Sequence, residues 1–109
     1  MYFYKKLYLT DNLKKKKNRI CWNIKHNKGQ INVYVIAVAY GKDLFEIYHA
    51  ATLMQKGYPK DQVYIMGFAS SNEEAIDLLT NIVEDFMEQY GTIYFKEAFL
   101  KEKDKLFKK

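Results

Sequence analysis

Cysteine is almost absent from this sequence, since Cys21 is the only one among 109 residues. A lone cysteine excludes an intramolecular disulfide framework and any two-cysteine zinc or redox motif. It is also typical of a reducing compartment. The two histidines, His26 and His49, lie far from each other along the chain and show no metal-ligand spacing with Cys21. We therefore expect neither a metal site nor a cofactor.

Long apolar runs are also lacking. The longest, Val33 to Tyr40, has eight residues, whereas a helix needs roughly 20 to span a bilayer. The N-terminal residues 1–6 place aromatic side chains before lysines and are not followed by an apolar stretch of signal-peptide length. We therefore expect a cytoplasmic protein that does not associate with membranes.

Arginine is scarce, because Arg19 stands alone beside seventeen lysines. Arginine is the usual residue for bidentate contacts with phosphates and base edges, so its scarcity argues against a dedicated sequence-specific DNA reader. The many lysines, tyrosines and phenylalanines are typical of AT-rich codon usage, which we interpret as the bias of a bacterial genome. Part of the lysine content is then a matter of composition rather than function.

Positive charge is concentrated at one end of the chain. Residues 1–30 carry nine basic side chains and one acid, Asp11, whereas residues 31–109 carry nine basic and twelve acidic side chains. The net charge of +5 thus belongs to the N-terminal segment. A field of this kind indicates an anionic partner without identifying it.

Strand and helix patterns alternate along the sequence. Strands are predicted over 7–9, 31–40 and 62–69, and helices over 11–27, 44–54 and 71–91. The second helix is predicted from apolar residues at helical spacing, namely Leu44, Ile47, Tyr48, Ala51 and Met54. The third helix begins with Ser71-x-x-Glu74, which has the form of a capping box, and ends at Gly91.

This alternation predicts an α/β fold with helices on both faces of a sheet. We expect a single α/β domain over 1–109, a small three-layer βαβαβα arrangement with a mainly parallel three-stranded sheet of order 2-1-3. Residues 92–109 either add a fourth edge strand and a C-terminal helix or form a loosely packed tail. Because a three-stranded sheet has exposed edges, a homodimer is also expected.

The carboxyl ends of the predicted strands are one candidate site, since ligands of open parallel sheets bind there. Gly67 is followed by Ser70 and Ser71 at a helix N-terminus, where amides can face an anion, and Lys42 follows the preceding strand. The alternative is structural: Ser71 caps its helix and Gly67 fits a turn. No Gly-rich phosphate-binding loop is present in the sequence.

The basic first helix is the other candidate site. Its predicted binding residues are six cations and the only tryptophan, namely Lys14, Lys15, Lys16, Lys17, Arg19, Trp22 and Lys25. Lysines of this kind neutralise phosphates, and an indole stacks on bases without sequence preference. The alternatives are a solvated helix face and a Trp22 side chain packed on the sheet.

We accordingly expect a non-enzymatic binding module for nucleic acid, another polyanion or a protein partner. One alternative is a small enzyme or ligand sensor that uses an anion site at the strand ends around Lys42, Ser70 and Ser71. A second is a self-assembling adaptor in which the basic first helix meets the acidic third helix of another copy. The acids of that helix are Glu73, Glu74, Asp77, Glu84, Asp85 and Glu88.

Overall fold

The computed structural model describes residues 1–29, 32–41 and 43–109. The predicted strand residue Ile31 and the predicted anion-binding residue Lys42 lie outside this part of the chain. The strands are β1 (Tyr2–Leu9), β2 (Tyr34–Val38), β3 (Phe45–His49), β4 (Tyr64–Ala69) and β5 (Phe107–Lys108). The α-helices are α1 (Lys17–Lys25), α2 (Asn72–Tyr90), α3 (Phe95–Lys101) and α4 (Lys103–Leu106). Within the described ranges, 3₁₀ helices span Asp11–Lys16, Ala50–Met54 and Lys60–Gln62.

The five strands form one mixed sheet of order β3-β2-β4-β1-β5. Among the described residues, β1 and β4 are the one parallel pair, while β2 pairs antiparallel with both β3 and β4, and β5 pairs antiparallel with β1. The prediction of a mainly parallel three-stranded sheet of order 2-1-3 is therefore wrong. The strand predicted third, β4, separates β1 from β2 instead of lying at an edge.

The predicted helix over 44–54 is also wrong. Its residues form strand β3 and the 3₁₀ helix Ala50–Met54. Phe45 and Ile47 face the side of the sheet that α2 covers, whereas Tyr48 packs on the opposite side. This alternation is the period of a strand, and β2 supplies the hydrogen-bonded partner through a hairpin. The helical spacing of the apolar residues is thus overridden by pairing with the neighbouring segment.

Two apolar clusters lie on the two faces of the sheet. On one face, α1 contributes Ile20 and Ile24, which pack with Phe3, Val35 and other sheet residues. On the other face, β3, α2, α3 and β5 contribute a group of buried aromatic rings around Tyr4, namely Phe45, Phe86, Phe95, Phe99 and Phe107. Helices therefore cover both faces, and the segment after residue 92 is held by buried phenylalanines.

The long helix α2 begins and ends as its sequence predicts. The Ser71 hydroxyl accepts a hydrogen bond from the Glu74 amide at 3.1 Å, and Gly91 ends the helix with a left-handed φ of 72°. Ile82 and Phe86 are buried against the sheet. The cap and the apolar stripe agree with each other, which is why this helix can be predicted from local sequence alone.

The chain's first and last strands are neighbours. Phe3 pairs with Lys108 and Tyr4 with Phe107. The expected order of an edge strand followed by a C-terminal helix is wrong, because Phe95 begins α3 and the edge strand β5 comes after the helices. As a result, the C-terminal lysines lie beside the N-terminal strand.

Candidate functional site

A basic cleft lies between α1 and the C-terminal strand β5. It has a volume of about 250 Å³. Its walls are apolar at the base and cationic at the rim, and the lining residues are Phe3, Leu7, Lys17, Asn18, Cys21, Trp22, Lys25, Lys108 and Lys109. The five residues from α1 recur at positions i, i+1, i+4, i+5 and i+8, so they share one face of the helix. We call this feature the basic cleft.

Two of the cleft lysines are positioned by aromatic rings. The ammonium nitrogen of Lys25 lies 5.3 Å from the centroid of the Phe3 ring, and that of Lys109 lies 5.6 Å from the centroid of the Tyr2 ring. A cation over a ring face is attracted by the ring quadrupole, by about 0.5–1 kcal/mol at exposed sites. The two side chains are thus held near β1 while their charged ends remain exposed.

A second concavity of about 450 Å³ adjoins the basic cleft, because both are lined by Lys25 and Lys109. Its other lining residues are Met1, Lys60 and Asp61. We call these two neighbouring concavities together the groove, and lysines line both of them. Lys60 is anchored at the C-terminal end of α1, where its ammonium donates to the Ile24 carbonyl at 3.1 Å and to the Asn27 side-chain oxygen.

Charge in this groove acts on the α-amino group of Met1. Burial is the largest cause that lowers its pKa; Asp61 opposes the shift, while Lys109, Lys60 and Lys25 add to it. Three lysines from distant parts of the sequence therefore act on one point of the groove.

Trp22 is the exposed aromatic side chain of the basic cleft. Its side chain is 52% exposed, and its ring stacks on the His26 imidazole with 4.1 Å between centroids and 22° between planes. The His26 Nδ1–H donates to the Trp22 carbonyl oxygen at 2.8 Å. His26 is therefore held by a hydrogen bond and backs one face of the indole.

Cys21 lines the cleft but is not activated. Burial raises the pKa of its thiol, although the neighbouring Lys17, Lys25 and Lys108 act in the opposite direction. The thiol is half-buried and packs against the apolar cluster beneath α1. A protonated thiol is a poor nucleophile, so this arrangement favours a packing role for Cys21.

The structure brings together only part of the predicted basic set. Lys17, Trp22 and Lys25 line the cleft. Lys14 lies in a different depression and forms an ion pair with Asp11 at 2.9 Å. The remaining members are exposed on or beside α1 without lining the cleft, namely Lys15, Lys16 and Arg19. Residues 11–16 form a 3₁₀ helix rather than the first turns of the α-helix, which rotates these lysines out of the α1 register.

Sequence reasoning missed the other half of the site. Residues 101–109 carry five lysines and two acids, but this excess is hidden when charge is summed over 31–109, because that span also contains the acids of α2. Lys60 stands next to Asp61 and belongs to no basic run. A further signal is the apolar residue Phe107 directly before Lys108 and Lys109, which is typical of a segment that is packed at one residue and charged at the next two. It reveals nothing about the partner of that segment, which is β1 at the opposite end of the chain.

The predicted anion site at the strand ends has serine hydroxyls that are already hydrogen-bonded, and it lies next to a mainly acidic depression. The Ser71 hydroxyl is occupied as the helix cap, and the Ser70 hydroxyl donates to the Glu74 carboxylate. Beside them lies an open depression of about 570 Å³, lined by Leu9, Thr10, Asp11, Asn12, Lys14, Glu74, Asp77, Leu78 and Asn81. It contains three carboxylates and one ammonium group, so its charge disfavours an anion. Lys42 lies outside the described residues.

Comparisons of the chain with models of known protein families, with characterised proteins and with solved structures found no match. Within residues 1–29, 32–41 and 43–109, no group of three or more histidine, cysteine or carboxylate side chains is placed to hold a metal ion. In the same part of the chain, every helix is too short or too polar to cross a bilayer.

Proposed function

We propose that this protein is a non-enzymatic module that binds the phosphate backbone of nucleic acid in the basic cleft. The observation that carries the proposal is the convergence of Lys17 and Lys25 from α1 with Lys108 and Lys109 from the C-terminus around a half-exposed tryptophan. The fold gathers these charges from opposite ends of the sequence into one concave surface.

The four lysines of the cleft lack carboxylate partners among the residues that the structure describes, where the one ion pair joins Lys14 to Asp11. Like charges held together repel one another and lower the stability of the folded chain. A polyanion with evenly spaced charges removes this repulsion and releases its own condensed counterions on binding. The cleft is therefore suited to a phosphate backbone.

Trp22 favours nucleic acid over an acidic protein as the partner. An acidic peptide needs only the lysines, whereas a flat indole backed by His26 at 4.1 Å presents a surface for a base. The scarcity of arginine supports contacts with phosphates rather than bidentate reading of base edges. Binding is thus proposed to be tolerant of sequence.

The test is charge reversal inside and outside the basic cleft. We expect the double substitution Lys17→Glu and Lys25→Glu to weaken oligonucleotide binding at least about tenfold at low salt, since it removes two phosphate contacts and adds repulsion. Wild-type binding should weaken about 50-fold between about 50 and 200 mM salt if all four lysines contact phosphates of a single strand. Both effects are measured by fluorescence anisotropy of a labelled 12-nucleotide strand.

The matched control is Lys15→Glu with Lys101→Glu, which changes the net charge equally at exposed positions that do not line the cleft. It should change the affinity by no more than about twofold, the size of a long-range, salt-screened effect. Equal losses in the two pairs would show a general effect of net charge and contradict the proposed site. Binding of poly-glutamate without binding of oligonucleotide would identify an acidic protein partner instead.

A further inference from the structure

We infer that the basic cleft binds a single strand, with one unpaired base stacked on Trp22. The inference rests on the proposed function and adds a class of nucleic acid and a role for one side chain. Its basis is the geometry of the indole together with its position among the cleft lysines.

The indole is held in place before any ligand arrives. His26 lies one helical turn after Trp22, stacks on its ring and donates Nδ1–H to its carbonyl oxygen. A ring fixed in this way loses little conformational freedom when a ligand stacks on it. His26 covers one face of the ring, yet Trp22 is still 52% exposed. Part of the ring is therefore accessible to a ligand.

Trp22 also lies on the path that a bound nucleic-acid strand would follow through the basic cleft. Lys17 and Lys25 flank it on the same face of α1, and Lys108 and Lys109 line the opposite wall. A backbone that contacts lysines on both walls passes the indole edge, which places a base within reach of the ring. Next to Lys25 and Lys109, the neighbouring concavity adds Lys60 as a further cationic contact for a bound strand.

Only an unpaired base has a face available for this contact. In a duplex each base is stacked on both sides and paired along its edge, so a protein ring reaches it only after unstacking at a cost of a few kcal/mol. Phosphates, in contrast, are equally present in single strands and duplexes. Stacking on Trp22 therefore distinguishes a single strand from a duplex, whereas contacts between lysines and phosphates do not.

The experiment compares three labelled ligands of equal length: a 12-nucleotide single strand, a duplex of the same sequence, and a strand in which the central bases are replaced by abasic sites. We expect the intact strand to bind wild-type protein about 5- to 150-fold more tightly than the abasic strand, the range seen for one stacked base. It should also bind more tightly than the duplex, and it should quench the fluorescence of Trp22, which the abasic strand should not.

Trp22→Ala should reduce the preference for the intact strand over the abasic strand to about one, because the stacking contact is removed while the phosphate contacts remain. Tyr94→Ala is the matched control, since Tyr94 is an exposed aromatic residue outside the cleft, 80% accessible. The Tyr94→Ala variant should retain the wild-type preference for the intact strand over the abasic strand. If the Trp22 variant does not fold, the comparison of the three ligands on wild-type protein still tests the inference.

The possible outcomes distinguish failure of base stacking from failure of phosphate binding in the cleft. Equal binding of intact and abasic strands, with the expected salt dependence, would overturn base stacking and leave the phosphate-binding cleft in place. Tighter binding of the duplex would likewise overturn it. Failure of all three ligands to bind at low salt would remove the proposed function, and the inference with it.

Discussion

Gly67 shows how a single residue determines the centre of the sheet. It lies inside β4 opposite Tyr8 of β1, rather than in a turn. A Cβ at this position would lie 2.4 Å from the Tyr8 carbonyl oxygen, which no real contact allows. Between Phe3 and Tyr8 the pairing of β1 with β4 shifts register, and the backbone of β1 approaches β4 at this point. The absence of a side chain at Gly67 therefore allows the backbones of β1 and β4 to approach each other closely.

Gly67→Ala should lower the free energy of unfolding by about 1–3 kcal/mol, because β1 must move away from its parallel partner to accept a methyl group. Urea denaturation followed by circular dichroism measures this loss. The matched substitution is Gly29→Ala, where a Cβ meets nothing within 4 Å. It should be neutral or slightly stabilising, and a similar loss in both variants would contradict the close-approach explanation.

At the scale of elements, a single lysine fastens α3 to the β2–β3 hairpin. The Lys96 ammonium donates to three backbone carbonyls of the hairpin connection, at Ala39, at Gly41 (3.2 Å) and at Asp43 (2.8 Å). Carbonyls at a turn have no partners in the sheet ladder, so the three donor hydrogens of one ammonium satisfy them together. The contact links elements that lie far apart in the sequence.

Lys96→Met keeps the length of the side chain and removes the donors. We expect a loss of about 1–3 kcal/mol in unfolding free energy, since hydrogen bonds to a charged group are lost and the carbonyls are left with water alone. Hydrogen exchange of the hairpin amides should accelerate in the same variant. Lys101→Met, an exposed lysine of the same helix, should leave both measurements unchanged.

How well an element can be predicted depends on where its determinants lie. The helix α2 carries its own cap at Ser71, its own stop at Gly91 and a wide apolar stripe, all within one segment. The strand β3 has only five residues, and its conformation depends on a neighbour across a hairpin. Its apolar residues at helical spacing predicted a helix because spacing over a short segment does not distinguish the two periods.

The candidate site was predictable only on its α1 side. Lys17, Trp22 and Lys25 could be identified because they fall in the segment with excess positive charge. Lys108 and Lys109 reach the site through β5, a strand of two residues paired with β1. Pairing of residues about a whole chain apart leaves no local pattern, so only the fold reveals that the two lysine groups share one cleft.

At the scale of the whole molecule, both ends of the chain should contribute to binding. Lys108→Gln with Lys109→Gln should lower the magnitude of the salt dependence, the slope of log affinity against log salt, by about 1.4 for a single strand, since each phosphate contact contributes about 0.7. Oligonucleotide titrations at several salt concentrations measure the slope. Thermal unfolding should change little, because the lost attraction between Lys109 and the Tyr2 ring and the relieved repulsion among the cleft lysines act in opposite directions.

The control for this pair is Lys101→Gln with Lys105→Gln, which removes two lysines from the same C-terminal segment but not from the cleft. Its slope should equal that of the wild type. A reduction of similar size in both pairs would mean that the C-terminal segment acts through its total charge rather than through the cleft.

The pairing of Phe3 with Lys108 brings both chain ends to one edge of the sheet, with the Lys109 ammonium 5.6 Å from the Tyr2 ring centroid. An affinity tag or fluorescent fusion at either end therefore emerges beside the cleft and obstructs it. A circular permutant avoids this: a short Gly-Ser linker joins the two ends, and new termini are opened at the exposed turn over residues 91–92. That turn follows α2, which packs on the opposite face of the sheet from α1, so a tag placed there leaves the groove accessible.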